Sequence, residues 1–197
     1  MKQYTFIEGG GELRESDIPQ QSSNGLGFFE TLLWDGSSLL ELELHLQRLR
    51  GSLATFFPEV EHEEVKVDSL ISLLTKEFTD QFCRVRLTAY VSGQLQIIVS
   101  IANYERPSDG LALLTSNFQP SVQRPLSGHK STSYGDYALA YQDALSRGAD
   151  EALLVNSAGD ICEGATTNVF ALINGRWLTP PLSSGCLPGI MLSLIHI

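Results

Sequence analysis

The chain has 197 residues, of which 43% are hydrophobic and 18% are charged. This composition is typical of a folded globular protein and argues against intrinsic disorder. The formal net charge is −10, from 13 basic and 23 acidic side chains, so the chain is a poor candidate for binding nucleic acid or an anionic membrane. A chain of this length forms one large domain or two small ones.

The cysteines and histidines predict no structural staple. Cys83, Cys162 and Cys186 are far apart and in no CxxC spacing, which favours reduced thiols over a disulfide framework or a zinc site. The histidines are scattered in the same way, so we predict no metal site. No signal-peptide pattern opens the chain, and its apolar runs are too short to span a membrane. We therefore expect a soluble cytoplasmic protein.

The first half of the chain predicts a β-meander with two helices. Leu42, Leu46, Leu49 and Leu53 form one apolar stripe at helical spacing. Asp68 is the expected N-cap of a second helix. Strands are predicted at residues 4–8, 27–34, 83–91 and 94–102, with a hairpin turn at 35–36 and the second helix at 68–78.

The second half begins after a linker at residues 104–110, which combines proline, glycine and charge. We predict strands at 111–115 and 152–155, an irregular segment at 118–133, a helix at 136–147 stopped by Gly148, and a hairpin of 168–173 with 176–179. A proline-rich loop at 180–188 leads to a helix start. Strands interspersed with helices and hairpins predict an α+β fold, with domains at 1–104 and 111–191.

The last residues, 192–197 (LSLIHI), match the translation of a common transposon sequencing adapter. We interpret them as an adapter-derived tail that follows native sequence ending near Met191. The alternative is a genuine short hydrophobic tail.

Two side chains stand out as candidates for catalysis. Lys130 lies among small hydroxyl residues near Tyr134, where desolvation would favour nucleophilic amine chemistry; the alternative is an ordinary surface lysine. Glu163 is flanked by cysteine, glycine and alanine, so it should have a cationic or hydrogen-bonding partner. The alternative for Glu163 is a solvated residue at a strand end.

Other candidate residues could bind an anionic ligand. Arg48 neighbours the leucine stripe of its helix, so its guanidinium could reach inward to a phosphate; the alternative is a helix-surface arginine. The helix start after Pro188 offers backbone N–H groups at Gly189 and Ile190, which also suit a phosphate.

Together these segments resemble the class-IV aminotransferase family, the fold-type IV enzymes that use pyridoxal 5′-phosphate. The resemblance covers nearly the whole chain, and the joint order and spacing of its parts are specific. It rests on residues 27–32 (GFFETL), 45–49 (HLQRL), 130–134 (KSTSY), 147–154 (RGADEALL), 163–170 (EGATTNVF) and 185–190 (GCLPGI).

The resemblance implies roles for individual residues. Lys130 would carry the cofactor covalently and later move a proton, and Glu163 would keep the pyridine nitrogen protonated. Arg48 and the backbone of Ile190 and Met191 would hold the phosphate. Tyr134 would lie near the phenolic oxygen of the cofactor, and Arg86 would bind a substrate carboxylate.

The sequence also departs from the family pattern. Met191-Leu192 stands where the family has Thr-Arg, and Ser133 stands where it has asparagine. Family members are longer, which implies an incomplete C-terminal domain and a chain that need not be active.

The resemblance implies an aminotransferase that moves an amino group between an amino acid, such as a branched-chain one, and a 2-oxo acid. The alternative is an aminodeoxychorismate lyase that releases p-aminobenzoate and pyruvate, since both activities need the same lysine and glutamate. A non-catalytic binding module is disfavoured because Lys130 and Glu163 are both present. The family further implies a homodimer; the apolar strand at 28–34 needs cover on both faces, from a partner or from the second domain alone.

Overall fold

The computed structural model describes residues 2–7, 14–15, 26–60, 67–92, 94–107, 110–118 and 125–195. Its chain divides into two compact units. The first unit contains Met1–Arg106 together with Lys130–Ser133, and the second contains Pro107–His129 and Tyr134–Ile197. The first unit gives way to the second inside the predicted linker, but the return of Lys130–Ser133 to the first unit was not expected from sequence.

The first unit is built on a five-stranded antiparallel sheet. Its strands are β1 (Lys2–Ile7), β2 (Arg14–Glu15), β3 (Gly27–Trp34), β4 (Cys83–Ser92) and β5 (Gln94–Asn103), and they lie in the order β2-β1-β5-β4-β3. Two helices accompany the sheet, α1 (Leu42–Phe56) and α2 (Asp68–Glu77). The predicted meander with two helices is therefore present in the described part of this unit.

Strand β3 is buried along one face and at Phe29 on the other, where Thr31 and Leu33 are half-buried. Phe28, Glu30, Leu32 and Trp34 alternate along the strand and are each at most 2% exposed, while Phe29 on the other face is 3% exposed. Helix α1 packs on the first of these faces, and the rings of Phe28 and Phe56 lie 5.2 Å apart. Since the chain itself covers β3, the burial of this strand provides no argument for a partner subunit.

Helix α1 contributes three of its predicted stripe residues, Leu46, Leu49 and Leu53, to the core at 1% exposure each. Helix α2 begins one residue earlier than the predicted cap implies: Val67 is the N-cap and Asp68 is the first helical residue. The prediction of Asp68 as the cap was wrong, although its carboxylate in the first turn still complements the helix dipole.

The segment before Tyr134 is not wholly irregular as predicted, because it pairs with β3. The backbone N–H of Phe29 donates to the carbonyl of Lys130 at 2.8 Å, and the N–H of Thr132 donates to the carbonyl of Gly27 at 2.8 Å. The N–H of Gly27 in turn donates to Oγ1 of Thr132 at 2.9 Å. Tertiary pairing therefore orders a stretch whose local sequence predicts only a loop.

The second unit has a three-stranded mixed sheet. Its strands, β6 (Leu113–Thr115), β7 (Glu151–Val155) and β8 (Ile161–Gly164), lie in that order, with β6 and β7 parallel and β7 and β8 antiparallel. Helix α3 (Gly135–Ser146) connects β6 to β7, and a hairpin of β9 (Ala171–Ile173) and β10 (Arg176–Leu178) follows β8. A 3-10 turn (Leu182–Ser184) and helix α4 (Ile190–Leu194) complete the described elements.

The core of the second unit is made of small side chains. Ala140 and Ala144 of α3 pack on Ala152, Leu154 and Ala165, and alanine at these positions lets the helix lie close to the sheet. Helix α3 is followed by Gly148 at a φ of 81°, a left-handed conformation that glycine adopts without strain and that matches the predicted stop.

Strand β8 was not predicted, and β9 begins at Ala171 rather than at Asn168. The Asn168 side chain instead donates to the carbonyl of Leu187 at 3.0 Å, which holds this residue in a loop. With helices and sheets in both units the fold is α+β, as predicted. No helix among the residues that the structure describes is long and apolar enough to cross a membrane.

Candidate active site

A buried charged cluster in the first unit holds Arg48. Glu30, in the middle of β3, is 1% exposed, and its carboxylate accepts from Nε of Arg48 at 2.7 Å and from Nη2 at 2.6 Å. Nδ1 of His45 lies 2.7 Å from the same carboxylate. His45 and Arg48 are three residues apart on α1, so one helix face presents both side chains to the strand.

The electrostatics of this cluster favour an ionised Glu30. Burial acts to raise the pKa of Glu30, but the hydrogen bonds and positive charges of Arg48 and His45 outweigh burial and hold that pKa below its ordinary value. A guanidinium has five N–H donors in a rigid fork. The bidentate contact with Glu30 therefore orients Arg48 and remains compatible with donation to an anion.

Phe29 carries two cations on the other face of β3. The guanidinium carbon of Arg86 lies 3.6 Å from the centroid of the Phe29 ring, and Nζ of Lys130 lies 4.7 Å from it. Both distances are within the range of cation–π attraction. Strand pairing places Arg86 opposite Thr31, and the backbone bond between Phe29 and Lys130 holds the lysine beside the ring.

Glu163 is the centre of a cluster in the second unit. It lies in β8 and is 5% exposed, so it is not a solvated strand-end residue. Its carboxylate accepts from the hydroxyl of Tyr137 at 3.1 Å and from the backbone N–H of Leu187 at 2.8 Å. The expected hydrogen-bonding partners of this carboxylate are therefore a tyrosine of α3 and the loop before α4.

Tyr134 joins the same cluster from the start of α3. Its ring stacks on that of Tyr137, with the centroids 4.9 Å apart and the planes inclined by 11°. Its hydroxyl donates to the carbonyl of Ala165. Tyr134 and Tyr137 are one helical turn apart, which is why both rings lie on one face of α3.

Two thiols border Glu163 without adding reactivity. Burial raises the pKa of the Cys162 and Cys186 thiols, and the negative charge of Glu163 raises it further. Cys83 is likewise buried, with a raised pKa. His129, next to Lys130, has a pKa lowered by burial. These shifts favour neutral thiols and a neutral imidazole.

The loop before α4 makes a tight contact with Asn168. A Cβ atom added to Gly189 would lie 1.7 Å from Oδ1 of Asn168, so only glycine fits there. Ile190 begins α4 and is half-buried, whereas Met191 is 60% exposed. The carbonyl of Leu187, which accepts from Asn168, lies two residues before Gly189.

The predicted site residues thus form a group in each unit. In the first unit, Lys130 and Arg86 share the ring of Phe29, and Arg48 binds Glu30 on the opposite face of β3. In the second unit, Tyr134 and Glu163 are linked through Tyr137 and the turn that follows β8.

Sequence reasoning missed several residues of these clusters, namely Phe29, Glu30, His45, Tyr137 and Glu151. A signal for Glu30 and Glu151 was present, since a carboxylate inside an apolar strand must be paired when buried. Tyr137 lies three residues after Tyr134, at the spacing that puts both on one helix face. Within the described ranges no group of histidine, cysteine and carboxylate side chains could hold a metal ion.

The fold and these clusters define a two-unit α+β protein with a buried carboxylate, two tyrosines, a lysine and arginines. The sequence model of the Amino-transferase class IV family matches residues 27–196, and the chain belongs to this family.

Three known proteins that are similar to this chain bear on its reaction class and its fold. A probable branched-chain-amino-acid aminotransferase of Synechocystis sp. is 30% identical over 167 residues, which are 77% of this chain and 54% of that protein. A putative aminodeoxychorismate lyase of Schizosaccharomyces pombe is 32% identical over 171 residues, 83% of this chain and 70% of that protein. A crystal structure of an aminotransferase from Brucella abortus, bound to the cofactor PLP, is 20% identical with a TM-score of 0.78 and covers 98% of this chain and 76% of that one.

The likeness to the Brucella structure establishes the fold, which is that of the fold-type IV aminotransferases. The chain spans about half the length of the Synechocystis relative that it matches. The names of the Synechocystis and S. pombe relatives correspond to the two reactions that the sequence predicted: one is named as an aminotransferase and the other as a lyase.

Proposed function

We propose that this protein binds pyridoxal 5′-phosphate and transfers an amino group between an amino acid, such as a branched-chain one, and a 2-oxo acid. The observation that carries the proposal is the buried Glu163 carboxylate, held by Tyr137 and the Leu187 N–H beside the stacked Tyr134. Its support is membership of the class-IV aminotransferase family and the presence of a PLP-bound enzyme among the proteins of this fold.

The residues present fit this cofactor. A carboxylate accepts up to about four hydrogen bonds, so Glu163 can accept from a protonated ring nitrogen besides Tyr137 and Leu187. A carboxylate this buried needs donors, and a pyridinium N–H is one. Arg48 brings the planar guanidinium that suits a phosphate.

Each residue then has a stated task. Pyridoxal phosphate, when bound, supplies an electron sink. Glu163 would hold the proton on the ring nitrogen and so keep that sink effective, and the family resemblance assigns Tyr134 to the phenolic oxygen. The resemblance assigns the phosphate to Arg48 and to the backbone N–H groups of Ile190 and Met191.

Lys130 would carry the cofactor through its Nζ atom and, once the substrate amine has displaced it, would serve as the base that takes the proton from the substrate α-carbon and later returns it. Phe29 holds that amine by cation–π attraction while the lysine is charged and free of cofactor. Arg86, on the same ring, is the cation that binds the substrate carboxylate.

Lys130→Ala tests the assignment of the lysine. The wild-type protein mixed with pyridoxal phosphate should develop a visible absorption band, and borohydride should fix the cofactor to the peptide that contains Lys130. Lys130→Ala should lose both signals, whereas Lys76→Ala, at the exposed end of α2, should keep them. Cofactor trapped on another lysine, or on none, contradicts the proposal.

The substrate class is tested separately. Leucine and 2-oxoglutarate should yield glutamate if the protein is an aminotransferase. The second candidate is the lyase that forms p-aminobenzoate and pyruvate, which is favoured by the 32% identity to the lyase-named protein of S. pombe. Pyruvate release from aminodeoxychorismate without glutamate formation from leucine reverses the order of the two.

We also propose that the active protein is a cytoplasmic homodimer and that residues 1–104 and 111–191 are its domains. The dimer rests on the family resemblance, since β3 is covered within one chain. Light scattering at micromolar concentration should give twice the chain mass, and a monomer mass contradicts the dimer.

A further inference from the structure

A buried carboxylate outside the proposed cofactor contacts organises the turn that follows β8. Glu151, the first residue of β7, is 3% exposed. Its side chain accepts from its neighbour's N–H, that of Ala152, at 2.8 Å, and from the N–H of Thr166 at 3.1 Å. The hydroxyls of Thr166 and Thr167 donate to the same carboxylate oxygen, the second at 3.4 Å.

The turn itself is closed around this carboxylate. The N–H of Gly164 donates to the carbonyl of Thr167 at 2.7 Å, and the N–H of Ala165 donates to that of Ala152 at 2.9 Å. A Cβ atom at Gly164 would lie 2.2 Å from Oγ1 of Thr167 and 3.2 Å from Cγ of Glu151. Glycine is therefore required where the turn, which we call the 164–167 turn, presses against the carboxylate.

The 164–167 turn touches the proposed cofactor residues on both sides. Glu163 precedes it directly, and the carbonyl of Ala165 accepts the hydroxyl of Tyr134. Tyr134 stacks on Tyr137, whose hydroxyl donates to Glu163. A ring of contacts therefore runs from Glu151 through the turn to both tyrosines and back to Glu163.

We propose that Glu151 is a positioning residue, whose carboxylate holds the 164–167 turn so that Ala165 orients Tyr134 and Glu163 stays aligned with Tyr137. The effect of this alignment on cofactor binding rests on the proposed function, whereas the contacts that hold Tyr134 and Glu163 do not depend on it. Thr166 and Thr167 are exposed, so the carboxylate, rather than packing, fixes these residues. Charge-assisted acceptance of several donors is strong enough for this task.

The test uses isosteric variants of the purified protein. Glu151→Gln keeps the size of the side chain but turns one acceptor into an NH2 donor that faces Thr166. Thr166→Val removes a hydroxyl donor, and Thr166→Ser keeps it. Gly148→Ala, just after α3, lowers stability because the backbone φ of 81° at this position suits glycine, and the added Cβ would contact nothing within 4 Å. It serves as the matched control.

The first readout is the 13Cζ NMR signal of Tyr134 in the cofactor-free protein, identified by its loss in Tyr134→Phe. Glu151→Gln and Thr166→Val should move this signal toward that of the exposed Tyr104. Thr166→Ser and Gly148→Ala should leave it in place. An unmoved Tyr134 signal in Glu151→Gln overturns the proposal whatever the cofactor does.

The second readout is pyridoxal phosphate affinity from the visible band. Glu151→Gln should weaken binding about tenfold, as loss of a residue that orients ligand contacts commonly does, and Thr166→Val added to Glu151→Gln should change little further because both act through one contact. Affinity within twofold of wild type, with stability reduced as in Gly148→Ala, contradicts positioning of the cofactor residues. Absence of binding by the wild type refutes the proposed function instead, and the NMR arm then decides the role of Glu151.

Discussion

Glu30→Gln should destabilise the first unit, because it removes the negative charge from a buried cluster that contains the Arg48 guanidinium and the His45 ring. Glu30 accepts three contacts of 2.6–2.7 Å from Arg48 and His45. Removing one partner of a buried ion pair costs about 3–5 kcal/mol. Arg48 and His45 are each 13% exposed, and glutamine keeps one acceptor oxygen, so we expect the lower end, about 3 kcal/mol.

The assay is urea unfolding followed by Trp34 fluorescence in a Trp177→Phe background. Trp34 is fully buried in the first unit and donates from Nε1 to the carbonyl of Phe78 at 2.9 Å, so its emission reports that unit alone. For a unit of about 100 residues, a loss of about 3 kcal/mol corresponds to a melting point lower by about 12 °C.

The control is Arg147→Ala, which removes an exposed pair with Asp143 at 3.2 Å. Solvent screens this pair, and we expect a change below about 0.5 kcal/mol. The reasoning is refuted if the free energy of unfolding of Glu30→Gln lies within about 0.5 kcal/mol of the wild-type value, which is the size of a surface-pair effect. Such a result would mean that the buried cluster adds no net stability.

The pH dependence of the same variant has a defined sign. The pKa of Glu30 is lower in the folded protein than in the unfolded chain, so its stabilisation is complete above the unfolded value of about 4.3 and is lost as pH falls through the folded value. The stability difference between wild type and Glu30→Gln should therefore shrink as the pH falls below about 4. A difference that grows on acidification contradicts the assignment of Glu30 as the ionised partner.

Three further outcomes are expected. Gly189→Ala should destabilise the second unit and broaden its NMR spectrum, since the new Cβ would lie 1.7 Å from Oδ1 of Asn168; a wild-type melting curve contradicts this. Cys162 and Cys186 should react slowly with a thiol reagent at neutral pH and quickly in urea, because burial raises the pKa of both, and equal rates would show otherwise. Asp35 should titrate by carboxyl NMR with a pKa of about 2, lowered chiefly by hydrogen bonds from the backbone N–H groups of Ser38 and Ser37. An ordinary aspartate pKa would argue against these hydrogen bonds.

Local sequence patterns determined the fold class and most of the elements of this protein, although not β8. The leucine spacing and the turn residues before it predict α1, and the apolar run predicts β3. The structure has both elements where these patterns place them. Such features depend on neighbours three or four positions away, which the sequence displays directly.

The partners of the charged residues were decided by tertiary structure. No local pattern pairs Glu30 with Arg48, joins Lys130 to Phe29, or brings Glu151 against Thr166, because each contact closes a loop between distant residues. The sequence could say that a buried carboxylate needs a partner. Which donor meets it depends on strand pairing and helix packing. These bring Arg48 to 2.6 Å from Glu30, 18 positions away in the sequence, and the N–H of Thr166 to 3.1 Å from Glu151, 15 positions away.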